Sequence, residues 1–255
     1  MVLINFNFKL EEEERMAKIL WSLLLTLCFV GLIAADDTEV KGSITAGIML
    51  PQMELPHSNA WRDAINGPMT KLGLDGELEE IAPGMGFTIG YGVSVGEYSR
   101  FDATVGSIKN EYEVTYTGEV FGESYERILK LSTNIVPVRF DYTLFTPGFL
   151  DDRIKPELGL GLIFFISKYN MEEKETVGDE VFRGTAWARG VTVGPELKGG
   201  AEISIFGPLA VEAYGTYFTT VIDLDRWYSY GDATRGPTFE EYTGWAIWVA
   251  PRLYF

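Results

Sequence analysis

The sequence is poor in the residues on which disulfide-stabilised domains and many enzymes depend. Its 255 residues include one cysteine, Cys28, and one histidine, His57. A disulfide framework is therefore excluded, and any histidine-dependent catalysis has to use His57. Lipidation of Cys28 is disfavoured because Leu27, rather than a small residue, precedes it.

Long hydrophobic runs are also missing from most of the chain. No apolar run in residues 36–255 is long enough to cross a bilayer as a helix. The 11 prolines and 28 glycines favour strands separated by glycine-containing turns over a helical bundle. A chain of this kind can span a membrane only as a closed barrel, since only helices and barrels satisfy their own backbone hydrogen bonds in lipid.

The N-terminal segment, residues 1–35, has the pattern of a cleaved export signal. Lys18 supplies positive charge, an apolar run follows it, and an alanine pair at 34–35 offers a cleavage site. An acidic run just before Met16 does not fit the start of a signal, so Met16 is the predicted true start. We expect the exported product, residues 36–255, to form a single domain.

Period-two alternation dominates the rest of the chain and predicts strands with unlike faces. In residues 85–95 one face is bulky and apolar, while the other carries glycine, threonine and serine. The same contrast recurs along the chain. The eight candidate strands are residues 40–50, 85–95, 101–105, 136–144, 157–164, 191–198, 209–217 and 245–255.

The connections between these strands alternate in length. Short connections lie near residues 96–100, 145–152 and 206–208. The four long connections are residues 51–83, 110–127, 168–186 and 220–241. This pattern predicts an all-β fold, a closed antiparallel transmembrane β-barrel of about eight strands, with short periplasmic turns, four long outer loops and periplasmic termini. A count of ten strands stays open.

Charges in mid-strand fall on the small-residue face, which predicts a polar lumen where they pair. Those charges are Arg139, Asp141, Glu157, Glu196, Lys198, Glu212 and Arg252. The other face carries aromatic residues near strand ends, which predicts girdles at the bilayer interfaces. These aromatics are Tyr98, Phe101, Tyr112, Tyr116, Trp187 and Trp245.

Two local features qualify this pattern. Pro137, Pro195 and Pro251 fall within strands, and the apolar parity shifts at Pro137, so we expect a bulge there. In the first long connection, Ser58 is a predicted cap for a short helix over residues 59–65 that ends at Gly67.

The C-terminal strand resembles the assembly signal of outer-membrane proteins. It ends on Phe255 and carries apolar residues at alternate positions: Trp245, Ile247, Val249, Leu253 and Phe255. The stretches KPELGLGL (155–162) and PVRFDYTL (137–144) look like strands of the same superfamily. Over residues 40–255 the chain resembles the OmpA/OmpX-like and OmpW-like small barrels. That resemblance implies a monomer in a Gram-negative outer membrane, with lipid, lipopolysaccharide and the assembly machinery as partners.

Negative charge is concentrated in the long connections. Residues 1–35 hold three basic and four acidic residues, so residues 36–255 keep 18 basic and 33 acidic ones; 21 acidic and 8 basic residues lie in the four long connections. This excess of negative charge excludes nucleic-acid binding, because neutralising phosphates requires basic residues. The acidic loops either capture divalent cations or a basic partner, or form a solvated surface. No metal site, cofactor or catalytic residue is assigned.

Four functions stay open. The first is a structural or surface-interaction barrel that presents acidic loops. The second is a narrow channel or conduit for small or apolar solutes, as the OmpW-like resemblance implies. The third is a lipid A-modifying hydrolase or acyltransferase, which needs His57 near the outer bilayer rim. The fourth is a soluble carrier of the lipocalin type.

Overall fold

A computed structural model describes residues 40–223, 228–231 and 236–255. The predicted export signal and Met16 lie outside these residues. The described chain contains one helix and nine strands. The helix is α1 (Pro56–Lys71), and the strands are β1 (Val40–Glu54), β2 (Gly86–Val95), β3 (Ser99–Val120), β4 (Glu123–Phe145), β5 (Ile154–Val177), β6 (Glu180–Phe206), β7 (Leu209–Asp223), β8 (Tyr228–Gly231) and β9 (Phe239–Tyr254).

Eight of the strands close into an antiparallel ring. Strands β1 to β6 each pair with the strand that follows in the chain. Strand β7 then pairs with β9, and β9 pairs with β1, which closes the ring. The short strand β8 lies outside the ring and pairs with β6 at residues 184–187. The predicted closed barrel of about eight strands is confirmed. In the part of the chain that is described, no helix is long and apolar enough to cross a membrane.

Short and long connections lie at opposite ends of the barrel, as predicted. Two of the predicted long loops, 110–127 and 168–186, are however not loops: apart from a short turn in each, their residues extend the strands of two hairpins. Val120 pairs with Glu123 and Val177 with Glu180, so each hairpin closes in a two-residue turn. At the first turn Phe121 and Gly122 both have positive φ, 54° and 83°, as a type I′ turn requires. The β3–β4 and β5–β6 hairpins therefore extend far beyond the other strands.

The barrel has two halves of opposite character, and β4 runs through both. We call the half nearer the short turns the belt half, and the half that contains the tips of the two long hairpins the hairpin half. In the belt half of β4, residues 136–145, apolar side chains such as Phe140 point outward and charged ones such as Arg139 point inward. In its hairpin half, residues 123–135, Leu129 and Leu131 are buried inside. The hairpin half is thus built like a soluble barrel, and the belt half is inverted.

This inversion explains the parity shift at Pro137, and the predicted bulge there is wrong. The β3–β4 register is the same on both sides, since Val105 pairs with Val138 and Ile108 with Ile135. The ladder is only interrupted around Pro137, which lacks an N–H to donate. A similar interruption of the β1–β9 ladder occurs at Pro251. The β6–β7 ladder begins at Glu196, directly after Pro195.

Helix α1 fills the end of the barrel opposite the short turns. Its Ile65 and Met69 are buried in the same apolar cluster as Leu129 and Leu131 of β4. Residues 72–85, which follow the helix, run along the free edge of β3, where Asp75 and Thr117 exchange backbone hydrogen bonds of 2.8 and 2.9 Å. The hairpin half is therefore closed by its own chain.

The helix differs from the predicted one in its bounds and its cap. It begins at Pro56, a residue suited to the first helical position, and continues past Gly67 and Pro68 to Lys71. The N-cap residue is Leu55, whose side chain makes no capping hydrogen bond. Ser58, the predicted cap, lies inside the helix and donates its hydroxyl hydrogen bond to Glu240 of β9.

Candidate functional site: a charged lumen

The belt half of the barrel encloses ten buried charged side chains, which we call the ionic core. The seven charges predicted for the lumen all lie in it, and none of the ten is more than 6% exposed. The ionic core consists of Arg100, Asp102, Arg139, Asp141, Glu157, Glu196, Lys198, Glu202, Glu212 and Arg252. It therefore holds four cations and six acids.

Arg100 lies at the centre of the larger group of ion pairs. Its guanidinium binds Asp102 and Glu202 at 2.7 Å each, contacts Glu157 at 3.4 Å, and donates a hydrogen bond to Glu212. The Tyr254 hydroxyl accepts another hydrogen bond from it at 3.0 Å. One fully buried cation thus joins side chains from β3, β5, β6, β7 and β9.

Arg252 and Lys198 complete this group. Arg252 bridges Asp102 at 2.9 Å and Glu212 at 2.6 Å, and it donates a hydrogen bond of 2.7 Å to Ser43. Lys198 lies 3.2 Å from Glu157 and 3.6 Å from Glu212. Each carboxylate of the group is therefore in contact with at least one cation.

A second group surrounds Arg139, nearer the hairpin half. Arg139 binds Glu196 and Asp141, at 2.8 and 3.1 Å, and donates a hydrogen bond of 3.0 Å to the Tyr214 hydroxyl. Its guanidinium lies 4.1 Å from the ring centroid of Trp248. Trp248 is 1% exposed and stacks on Tyr214. These two rings form an aromatic layer between the ionic core and the apolar cluster of the hairpin half.

Three members of the ionic core, Arg100, Asp102 and Glu202, were not among the predicted lumen charges. The predicted third strand began at residue 101, which left Arg100 in a turn, and the predicted sixth strand stopped before Glu202. The alternation contained the signal, because Arg100 and Asp102 have the same parity as Thr104. Extending both strands by a few residues would have included Arg100 and Glu202, whereas Asp102 already lay on the polar face of the predicted third strand.

A second buried polar group holds the N-terminus of α1. The Glu240 carboxylate accepts hydrogen bonds from the backbone N–H groups of His57 and Ser58, at 3.1 and 2.9 Å, besides the one from the Ser58 hydroxyl. Glu240, on the strand that pairs with β1, thus caps the helix that follows β1. Burial raises the pKa of Glu240, and the hydrogen bonds from Ser58 and His57 only partly oppose this rise.

The outward face carries some, but not all, of the predicted aromatic girdle. Tyr98, Phe101 and Trp245 are exposed on the outside. The outward positions predicted for Tyr116 and Tyr112 are wrong. Tyr116 is fully buried and donates a hydrogen bond of 2.5 Å to the Asn66 side chain. The Tyr112 hydroxyl donates a hydrogen bond to the backbone carbonyl oxygen of Ala82. Both lie in the hairpin half, where the inner face is the apolar one. Trp187 is half-buried and stacks on Tyr228.

The alternate residues of the C-terminal strand all point outward from the belt half. Trp245, Ile247, Val249, Leu253 and Phe255 are between 38% and 69% exposed. Their role as an assembly signal stays a prediction.

The only histidine of the chain lies away from this apolar outer surface. The His57 ring packs on Phe239 at a centroid distance of 3.8 Å, at the N-terminus of α1. Within the residues that the structure describes, no group of three or more His, Cys, Asp or Glu side chains is arranged to hold a metal ion.

Comparison with known proteins gives structural similarities only. Neither a protein-family model nor a curated protein matches the chain. The outer membrane protein OprG of Pseudomonas aeruginosa is 9% identical, with 86% of this chain and 97% of that chain covered and a TM-score of 0.42. A major outer membrane protein of Thermus thermophilus is 11% identical, with 85% and 100% covered and a TM-score of 0.41. The outer membrane protease OmpT of Escherichia coli is 9% identical, with 86% and 94% covered and a TM-score of 0.25.

Proposed function

We propose that this protein is a closed barrel of the bacterial outer membrane that displays an acidic β-sheet at the cell surface. The observation that carries the proposal is the inversion of the barrel wall. The belt half exposes large apolar side chains, among them Phe87, Ile89 and Leu160 at 61–65%, and buries ten charges. Such a surface is stable against lipid and costly against water.

The ionic core supports a lumen that is closed to ions. An eight-stranded barrel is just wide enough for its own side chains. Here cations from β3, β4, β6 and β9 bridge acids across the interior, and Trp248 and α1 lie beyond them. An ion would have to break several buried pairs to pass, each at a cost of a few kcal/mol.

The long hairpins support the surface role. From the outward Lys109 to the turn at 121–122, β3 continues for about 11 residues, or roughly 35 Å along the strand. The outer face of this extension is rich in acids, including Glu111, Glu113 and Glu126. This sheet, together with the other connections at the same end, is the acidic surface on which a partner would dock.

An enzymatic role in lipid modification has less support. It would require His57 at the apolar outer surface, where a lipid headgroup could reach it. His57 instead packs on Phe239 beside the buried Glu240, and both belong to the closure of the hairpin half.

Cysteine labelling tests both the location and the orientation. Because Cys28 lies in the predicted export signal, Phe121→Cys and Glu97→Cys each give an exported protein with one cysteine. Phe121 is fully exposed at a hairpin tip and Glu97 is exposed in a short turn. We expect a membrane-impermeant maleimide to label Phe121→Cys on intact cells, and Glu97→Cys only after the cells are broken. The opposite result would invert the orientation, and labelling of neither variant in intact cells would remove the surface role.

A further inference from the structure

The turn between β3 and β4 holds a phenylalanine where the backbone disfavours one. Phe121 and Gly122 form this two-residue turn, and Phe121 has a φ of 54°, in the left-handed region that favours asparagine and glycine. The Phe121 side chain is also fully exposed. The sequence Asn-Gly would form the same turn with less backbone strain and less exposed apolar area. The stability of the hairpin therefore does not explain an aromatic residue at this position.

Both hairpin tips are acidic around this ring. The β3–β4 and β5–β6 tips lie side by side, because the Gly178 N–H donates a hydrogen bond of 2.9 Å to the Ser124 carbonyl oxygen. Residues 117–126 and 175–182 contain no cation. We call Phe121 and the four exposed acids of the two turns the tip; these acids are Glu119, Glu123, Asp179 and Glu180. A partner for the tip needs an apolar space with cations at its rim.

The same molecule carries a groove of this kind on the outer face of its hairpin half. The groove has a volume of about 430 Å³, within the range of small-ligand pockets. Ile128 of β4 and Tyr230 of β8 supply apolar lining, and Tyr230 is 83% exposed. Three neighbouring strands supply the cations of the lining, which are Lys130 of β4, Lys174 of β5 and Arg183 of β6. The groove therefore combines an apolar surface with a positively charged rim.

The groove is a cationic part of an acidic molecule. Its three cations face one exposed acid, Glu172, whereas the whole chain has a net charge of −16. Two of the cations also pair with neighbouring strands. Lys130 lies 3.0 Å from Glu113, and Lys174 lies 3.2 Å from Glu126. Ion pairs this exposed contribute little to stability, so acids from a partner can compete for the same cations.

The heights of the tip and the groove decide where the partner lies. The groove residues Ile128 and Lys130 pair with residues 115 and 113 of β3, about seven residues below the turn at 121–122, or roughly 23 Å along the strand. Two copies in one membrane have their tips at the same height, so neither tip reaches the groove of its neighbour. Two copies in facing membranes point their hairpins towards each other, and each tip then reaches the groove of the other.

We infer that the tip of one copy inserts Phe121 into the groove of a second copy in a facing membrane, so that the protein joins two membranes. This inference rests on the proposed surface role and names a second copy of the chain as the partner. The Phe121 ring packs on Ile128 and Tyr230 in this contact. Glu119 and Glu123 face the cations of the groove. A two-fold axis parallel to the membranes forms both contacts at once. Each contact is small, but many copies on each surface raise the avidity.

Clustering of phosphatidylcholine vesicles that carry the purified exported protein tests the inference. We expect turbidity to rise faster as the protein density on the vesicles increases. In Phe121→Asn the turn becomes Asn-Gly, which this backbone favours, so the hairpin stays folded. The variant should cluster roughly tenfold more slowly or less, because it lacks the aromatic anchor. The matched control is Val221→Asn, which removes a 58% exposed apolar side chain of β7 outside the tip and the groove and should cluster normally.

Charge reversal provides a second test. The tip variant is Glu119→Lys with Glu123→Lys, and the groove variant is Lys174→Glu with Arg183→Glu. Vesicles that carry either variant alone should not cluster, because tip and groove then have the same sign. When the two kinds of vesicle are mixed, each tip again meets a groove of opposite sign, so unlike vesicles should cluster with each other. Two-colour fluorescence microscopy of the mixture measures this restoration.

The control for charge reversal is Glu77→Lys with Glu79→Lys, two exposed acids outside the tip and the groove, which should cluster as the unaltered protein does. Three results would each overturn the inference: no clustering of the unaltered protein, clustering that Phe121→Asn leaves unchanged, and mixed charge variants that stay apart. All variants must first shift in mobility on heating in gel electrophoresis, as folded barrels do. The cysteine labelling above does not depend on contact between copies, so failure of this inference and failure of the proposed location can be told apart.

Discussion

Replacing Arg100 by alanine is expected to lower the free energy of unfolding by about 3–5 kcal/mol, the cost of leaving buried carboxylates without their cation. Arg100 is fully buried and contacts Asp102, Glu157, Glu202 and Glu212. In the variant these acids lie in a low-dielectric lumen with only Lys198 and Arg252 close to them. The urea midpoint of the protein in lipid vesicles, followed by tryptophan fluorescence, measures the loss.

The matched control is Lys130→Ala, which breaks an ion pair with Glu113 whose two side chains are more than half exposed. Exposed pairs contribute at most about 1 kcal/mol, so the midpoint should hardly move. If Arg100→Ala does not fold into vesicles, Arg100→Lys keeps one charge and should give an intermediate midpoint. Equal midpoints for Arg100→Ala and Lys130→Ala would contradict the packed ionic core.

Replacing Trp248 by alanine should cost a similar amount, about 3–5 kcal/mol, because it opens a cavity between the two cores. The Trp248 ring is buried, lies over Arg139, stacks on Tyr214 and donates a hydrogen bond of 3.0 Å to the Thr216 hydroxyl. Its loss leaves the Thr216 oxygen without that partner and removes an aromatic face from a buried cation. The same urea titration in vesicles measures it.

Trp245, three residues earlier on β9, provides the control for this prediction. It is 48% exposed on the outward face, so Trp245→Ala removes contacts with the surrounding lipid and leaves the interior packed. We expect its effect on the midpoint to be less than half that of Trp248→Ala. A larger effect for Trp245→Ala would show that the two faces of β9 have been assigned the wrong way round.

The belt half was predictable from the sequence because there the two faces of each strand differ strongly. Every predicted strand lies largely in that half, and the seven charges on the small-residue face are all buried inside. Which acid pairs with which cation was not predictable. Arg100 and Glu202 are 102 residues apart and meet only because the ring closes.

The hairpin half was missed because its alternation has the opposite sense. Where Leu129 and Leu131 replace Arg139 and Asp141 on the inner face, the apolar pattern changes sides while the strand continues. From sequence the change of sides at Pro137 was interpreted as a bulge, and residues 110–127 and 168–186 were predicted to be loops. The extent of α1 was also out of reach, since its N-terminus is held by Glu240, 182 residues away from Ser58.

The most direct test of the closed barrel is single-channel recording of the exported protein in a planar bilayer, with folding verified on the same preparation. The ionic core predicts no discrete conductance steps from the unaltered protein at moderate voltage. Reproducible openings of uniform size, weakened or abolished by Arg139→Glu, would show that ions pass through the lumen. That result would contradict the closed barrel and establish a narrow channel in its place.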